Sequence, residues 1–68
     1  MATKPTHHYD LHGHMLHEGD LVEADHMKGR VFWDANRTQW MIDFGSTRVA
    51  SLNLYPSRKL ILIGTAHD

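Results

Sequence analysis

Apolar and polar residues alternate along most of this chain with the two-residue period of β-strands. Two apolar runs, at residues 31–33 and 40–44, flank a polar segment rich in the short side chains that turns favour. In the second run one face of the strand carries only large apolar side chains, namely Trp40, Ile42 and Phe44. The pattern therefore predicts a β-hairpin at the centre of the chain.

The rest of the chain predicts further short strands. Turn residues such as Gly19, Gly29 and Gly45 separate the apolar stretches. The five expected strands lie at about residues 20–25, 30–33, 40–44, 47–52 and 59–64. Pro56 has no N–H to donate to a sheet, so one turn of 3₁₀ helix is expected at residues 53–57. A small sheet exposes its edges unless it closes, which favours an all-β, five-stranded barrel.

Closure of such a barrel requires one face of each strand to point inwards. The side chains expected in the core are Val22, Val31, Trp40, Ile42, Phe44, Leu52, Leu60 and Leu62. In the last strand, Ile61 and Ile63 then point to the opposite face. We expect these isoleucines to be covered by the N-terminal arm, through Leu11, Met15 and Leu16, or else to bind a partner or a second copy of the chain.

The length of 68 residues allows one domain with a small core. Residues 1–8 contain almost no apolar side chain that a core could bury, and we expect them to form a disordered leader. The single barrel domain then spans residues 9–64, and residues 65–68 form a frayed tail.

The sequence predicts a cytoplasmic protein that does not bind membranes. No apolar stretch approaches the roughly 20 residues that a membrane-spanning helix needs, and the N-terminus lacks the apolar segment of an export signal. The chain also has no cysteine, which suits a reducing compartment.

Charge and side-chain chemistry favour a non-enzymatic protein without a cofactor. The formal net charge is only -1, with an acidic N-terminal part and a mildly basic remainder. A chain devoted to nonspecific nucleic-acid binding is usually more basic. The serines have no recognisable nucleophile setting, and no glycine-rich phosphate loop is present in the sequence.

Four short segments of the chain match motifs of one group of small barrels. Residues 18–22 read Glu-Gly-Asp-Leu-Val and match a G-D-x-V opening, while residues 28–31 match a G-x-V second strand. Residues 40–45 are similar to the strand motif V-x-F-x-D-Y-G, and residues 54–60 lie at the place of a short 3₁₀ turn. Over about residues 10–63 the chain thus resembles the SH3-like barrels of the Tudor and KOW type. This resemblance implies a five-stranded barrel with a 3₁₀ turn before the last strand and a flexible N-terminal arm.

A further motif precedes the barrel. Residues 10–20 are similar to the D-x-x-G-x-x-L-x-x-G-D lead-in of many small bacterial and phage proteins. This similarity implies an accessory or regulatory protein from a bacterium or a phage.

The resemblance to Tudor domains also suggests a partner. A Tudor domain binds methylated lysine or arginine in a cage of aromatic rings. Trp40 and Phe44 are expected to fill the barrel, and Gly45 stands where the motif has a second aromatic residue. The leading interpretation is therefore a module that binds a protein partner, with self-association through the last strand as an alternative. The residues expected to contact the partner are Trp33, Tyr55, Phe32 and Ile61.

Two alternative functions rest on other residues. Nucleic-acid binding, as in KOW modules, would use Arg30, Arg37, Arg48 and Lys59, with an aromatic side chain for base stacking. Metal binding would use the histidines, because six of the seven lie in the first 26 residues. On an extended strand, His12 and His14 would project from the same face, a spacing that suits Zn²⁺ or Ni²⁺. The further ligand would be His17, Asp10 or Glu18.

Overall fold

The computed structural model describes residues 4–65, and within this range the regular structure consists of β-strands and two 3₁₀ turns. The strands are β1 (Pro5–Tyr9), β2 (Met15–His17), β3 (Leu21–Ala24), β4 (Met27–Asp34), β5 (Gln39–Gly45), β6 (Arg48–Ser51) and β7 (Ile61–Gly64). The 3₁₀ turns, Leu52–Leu54 and Ser57–Lys59, connect β6 to β7. The predicted all-β fold is therefore confirmed. In residues 4–65 no helix is long and apolar enough to cross a membrane.

The strands form two antiparallel sheets. β1 pairs with β2, and the other strands form a five-stranded sheet in the order β6-β5-β4-β3-β7. The expected closure of the barrel is wrong, because β6 and β7 remain the two edges of this sheet in the described part of the chain. After the short strand β6, the 3₁₀ turns carry the chain across to β3, where β7 finds its pairing partner.

The central hairpin predicted from the sequence is confirmed as β4 and β5. Val31 pairs with Ile42, and Trp33 pairs with Trp40. The carboxylate of Asp34 accepts hydrogen bonds from the backbone N–H groups of the two turn residues Asn36 and Arg37, at 2.9 and 3.2 Å. An aspartate that accepts from the backbone two residues ahead stabilises a turn, which explains why the hairpin reverses at this point.

The β3–β4 connection is shorter than expected. Asp25 and His26 both have positive φ, at 51° and 65°, as in the two-residue turns that suit the twist of a β-hairpin. Gly29 therefore lies inside β4 and not in the connection. A Cβ atom at Gly29 would overlap the side chains of Ile42 and Phe44 on β5. The glycine thus permits close packing across the two strands.

The core lies between the inner face of the five-stranded sheet and the N-terminal hairpin, which comprises β1, β2 and the loop at residues 10–14. Its buried members are Leu16, Val22, Ala24, Val31, Ile42, Leu52 and Leu60. Of the predicted core, Trp40, Phe44 and Leu62 are only partly buried, and they pack against this cluster. Leu16 was expected to cover the last strand, but it enters the core. Met41 is also buried, although it lies on the outer face beside Phe32.

The expectation of a disordered leader at residues 1–8 is wrong for the part that the structure describes. Pro5–Tyr9 form β1, and the buried Thr6 hydroxyl donates a hydrogen bond to the carbonyl of Leu16 at 2.9 Å. The backbone of this segment pairs with β2. The segment is therefore ordered without apolar side chains of its own. Residues 1–3, and residues 66–68 of the expected frayed tail, lie outside the described residues.

Candidate functional site

The outer face of β7 carries two large apolar side chains. Ile61 is 36% exposed and Ile63 is 41% exposed, whereas Leu60 is buried in the core. On β3, the residue paired with Ile61 is Glu23. A shallow groove beside Ile61 is also lined by Glu23, His26 and Lys59. This β7 face, defined by Ile61 and Ile63, therefore combines an apolar centre with a charged border.

The N-terminal hairpin contacts the backbone of β7 but leaves the isoleucines exposed. The N–H of Leu11 donates to the carbonyl of Leu60 at 2.7 Å, and the N–H of Leu62 donates to the carboxylate of Asp10 at 3.0 Å. Leu11 itself is exposed. The expected cover of Ile61 and Ile63 by the arm is therefore not found. Instead, the arm occupies hydrogen-bonding groups that an edge strand would otherwise offer to another strand.

Four of the aromatic residues form two separate pairs and not one cage. Trp33 and Trp40 meet edge to face with their ring centroids 5.1 Å apart, and Trp33 is 37% exposed. Phe44 and Tyr55 form a second edge-to-face pair at 6.1 Å. Trp40 and Phe44 lie near opposite ends of β5, four residues or about 13 Å apart along an extended strand. The four rings therefore do not converge on one ligand.

The residues expected to bind a protein partner are distributed over different surfaces. Ile61 lies on the outer face of β7, and Phe32 lies half-buried on the outer face of β4 beside Met41. Trp33 follows Phe32 and points to the opposite face of the sheet. Tyr55 packs against Phe44 and the core. Of these four residues, Ile61 and Trp33 are the ones with substantial exposure, and they form separate surfaces.

The residues expected to bind nucleic acid are also separated. Arg37 lies in the β4–β5 turn and Arg48 begins β6, so that they occupy opposite ends of β5. Arg30 donates to the carbonyl of Gly19 at 2.7 Å and stands opposite Asp43 on β5. Lys59 belongs to the second 3₁₀ turn, beside β7. The structure does not collect these cations into one basic surface.

Asp10 is the polar centre of the N-terminal hairpin. Its side chain is completely buried, and its Oδ1 atom accepts hydrogen bonds from the N–H groups of His12 and His14, at 3.0 and 2.7 Å. Its Oδ2 atom accepts the N–H of Leu62 and lies 3.3 Å from Nδ1 of His14. Burial alone would raise the pKa of Asp10. The hydrogen bonds from Leu62, His14 and His12 outweigh it and lower the pKa to about 2.

Two of the three predicted histidine ligands converge on this carboxylate. His12 and His14 place Nδ1 atoms 3.8 and 3.3 Å from Oδ2 of Asp10. They do so from a loop and not from an extended strand, because the backbone of residues 10–14 folds around the aspartate. His17 lies apart from them, with its Nδ1 atom 3.9 Å from the carboxylate of the buried Asp20.

The lead-in motif of residues 10–20 has a structural role at each fixed position. Asp10 and Asp20 are buried, and Leu16 belongs to the core. Gly13 and Gly19 have positive φ, at 83° and 86°, which glycine adopts without steric cost. From the sequence, Asp10 was expected only as an additional metal ligand. An aspartate at the first position of a turn, three residues before a glycine, is the signal that could have identified its structural role.

No protein-family model, no curated protein and no solved structure matches this chain.

Proposed function

We propose that this protein is a small, non-enzymatic module that binds a protein partner through the β7 face. The observation that carries the proposal is the exposure of Ile61 and Ile63 on an edge strand whose inner residue, Leu62, packs against the core. Exposed apolar side chains bordered by charged residues are typical of the centre and rim of a protein–protein interface. We further propose an accessory or regulatory role in the cytoplasm.

The contacts of the N-terminal hairpin determine how a partner would dock. Leu11 already binds the carbonyl of Leu60, which directly precedes β7, and Asp10 binds the N–H of Leu62 on β7. A partner strand that paired with β7 at these groups would have to displace them. Docking therefore uses the outer side chains of β7, and the partner contributes apolar side chains to the contact.

The size of the surface indicates a weak or transient interaction. Complete burial of one isoleucine contributes about 1.5–3 kcal/mol, and both isoleucines are already more than half buried. Glu23 and Lys59 at the border supply charges of both signs, which orient a partner more than they stabilise it. Such a surface suits an accessory protein that binds and releases its partner.

We also propose that the fold is an SH3-like barrel left open at one seam. Strands β3 to β6 form a meander, and β7 returns after the 3₁₀ turns to pair with its first strand. The short turn thus lies before the last strand, where the resemblance to Tudor and KOW barrels placed it. The N-terminal hairpin covers the core that closure would otherwise protect.

The proposal can be tested with Ile61→Asp and a matched control, Val49→Asp. Val49 is 49% exposed on the opposite edge strand, β6, and is also β-branched. Circular dichroism would verify folding, sedimentation velocity would measure self-association, and crosslinking in a lysate of the source organism would detect another protein. We expect Ile61→Asp to abolish association while Val49→Asp retains it.

The opposite results would refute the proposal. Equal association of the two variants would exclude the β7 face as the docking surface. If Ile61→Asp unfolds, the milder variant Ile61→Thr provides the same comparison. Retention of the full association by a folded Ile61→Thr,Ile63→Thr variant would also contradict the proposal.

A further inference from the structure

We propose that Asp10, His12 and His14 form a binding site for a divalent transition-metal ion, with Zn²⁺ as the best match. The potential ligand atoms of these three residues all lie within 4.8 Å of one another. Two imidazoles and one carboxylate are a ligand set that zinc sites use, with a fourth position open to solvent or to another ligand. This site does not depend on the proposed docking surface.

The distances fit a tetrahedral ion. Zinc lies about 2.0–2.2 Å from nitrogen and oxygen ligands, so two ligand atoms of a tetrahedral site are about 3.3–3.5 Å apart. Oδ2 of Asp10 lies 3.3 Å from Nδ1 of His14 and 3.8 Å from Nδ1 of His12. An ion between them would replace the hydrogen bond between Nδ1 of His14 and Oδ2 of Asp10. The distance between Nδ1 of His12 and this oxygen would have to shorten by a few tenths of an ångström.

The surrounding hydrogen bonds fix the carboxylate in advance. Backbone N–H groups of His12 and His14 hold Oδ1 of Asp10, and the N–H of Leu62 holds Oδ2. Metal ligands are commonly oriented by such outer hydrogen bonds, which reduce the entropy lost on binding. The site therefore includes one rigid, buried ligand.

The two histidines supply the adjustable part of the site. The side chains of His12 and His14 are each 61% exposed, so they can rotate towards an ion without disturbing the core. Their ring centroids are 6.0 Å apart. Gly13 between them has φ of 83° and open space around its Cα, which lets the loop reverse between the two ligands.

The ligand chemistry selects the kind of ion. Imidazole nitrogen prefers Zn²⁺, Ni²⁺ and Cu²⁺, whereas Mg²⁺ and Ca²⁺ require oxygen ligands. A single carboxylate with two imidazoles thus excludes the hard cations in favour of the first-row transition metals. His17 is not part of the set, because its ring is directed to Asp20.

The experiment compares two double variants of the full, untagged chain after removal of metal with a chelator. In His12→Ala,His14→Ala both exposed ligands are lost. The control, His17→Ala,His26→Asn, loses the same number of histidines, and asparagine tolerates the positive φ of residue 26. Calorimetric titration with zinc chloride measures affinity, and the visible spectrum of the Co²⁺ form reports tetrahedral coordination.

We expect the parent and the control to bind one Zn²⁺ per chain with equal affinity and not to bind Mg²⁺. Loss of His12 and His14 should weaken Zn²⁺ binding by more than about 100-fold, beyond the effect of losing an outer-shell partner. In the parent, zinc should shift the amide resonances of residues 10–14 and of Leu62 before those near His17. Equal affinities of the two double variants, resonance shifts centred on His17, or absence of zinc binding by the parent at micromolar concentration would each overturn the proposal.

Discussion

In the five-stranded sheet the buried side chains are all apolar, whereas in residues 4–20 two of the buried side chains are the carboxylates of Asp10 and Asp20. The inner face of the sheet is held together by contacts between groups such as Val22, Val31 and Ile42. The N-terminal hairpin contributes Leu16 to this core, and its loop is organised by hydrogen bonds to Asp10. In this protein of 68 residues, burial of apolar surface thus stabilises one region, and hydrogen bonds from backbone N–H groups to a buried carboxylate stabilise the other.

The comparison shows what each region requires from its residues. An aliphatic side chain in the sheet can be replaced by another of similar volume at small cost. Asp10 has no such substitute, because an acceptor with two oxygens must meet N–H groups from residues 12, 14 and 62 together. The stability of the hairpin is therefore concentrated in one side chain.

The largest effects should come from one truncation in each region. Ile42→Ala leaves a cavity in the core of the sheet and should lower the free energy of unfolding by about 2–5 kcal/mol. Asp10→Ala leaves three backbone donors without their acceptor, and hydrogen bonds to a charged group contribute about 1.5–3 kcal/mol each, so that a loss of similar size is expected. Urea denaturation of the two variants measures both values. A loss below about 1 kcal/mol for Asp10→Ala would show that the stability of the hairpin does not depend on this one side chain.

Removal of residues 1–8 should destabilise the protein by roughly 2–4 kcal/mol, because several hydrogen bonds of about 0.5–1.5 kcal/mol each are lost with β1. Among them are the bond from Thr6 to Leu16 and the bond from the N–H of Glu18 to the carbonyl of Lys4. Thr6→Val, which keeps the shape of the side chain, should cost less than the deletion. Thermal melting of the two variants measures the difference. An unchanged melting temperature after the deletion would show that β1 contributes nothing to the fold.

Acid should weaken the hairpin before it affects the aliphatic core. The pKa of Asp10 is lowered to about 2 in the folded state, below its ordinary value of 3.8. Asp10 therefore stabilises the fold above pH 4, and this contribution, about 2 kcal/mol, is lost as the pH falls towards 2. Urea denaturation of the metal-free protein between pH 5 and pH 2 should show the decline. The same decline in a folded Asp10→Asn variant would assign it to other carboxylates.

The smallest effect concerns the exposed end of the sheet. Trp33→Ala removes the edge-to-face contact with Trp40, and such aromatic pairs contribute about 0.5–1.5 kcal/mol. We expect a loss of this size and a change in the near-ultraviolet circular dichroism of Trp40. A loss comparable to that of Ile42→Ala would place Trp33 in the core and not at its border.

The two regions also differ in how far the sequence predicted them. The alternation of apolar and polar residues located the central hairpin. It also identified five of the core residues correctly, because in a half-buried strand the apolar side chains mark the face that is turned to the core. Closure was not predictable from this pattern, since it depends on where β7 finds a partner. Trp40 and Phe44 lie near the ends of β5, where their large rings extend beyond the core, and so they are only partly buried.

In the N-terminal hairpin, by contrast, the apolar pattern was a poor guide. The few apolar residues of the first eight suggested disorder, yet β1 is ordered by backbone pairing with β2. The spacing of His12 and His14 indicated that they belong together, but it suggested a strand, whereas a loop around Asp10 unites them. Residues 10 and 62 are far apart in the chain, so the contact between them leaves no local pattern in the sequence.

The most direct test of this account is the hydrogen exchange rate of the Leu62 amide, measured by nuclear magnetic resonance in the parent and in Asp10→Asn. The N–H of Leu62 donates to Oδ2 of Asp10, which joins the N-terminal hairpin to β7. We expect this amide to exchange as slowly as that of Val31 in the parent, and much faster in Asp10→Asn, where Val31 remains protected. Rapid exchange of the Leu62 amide in the parent, or equal protection in both proteins, would contradict the role of Asp10 as the link between the two regions.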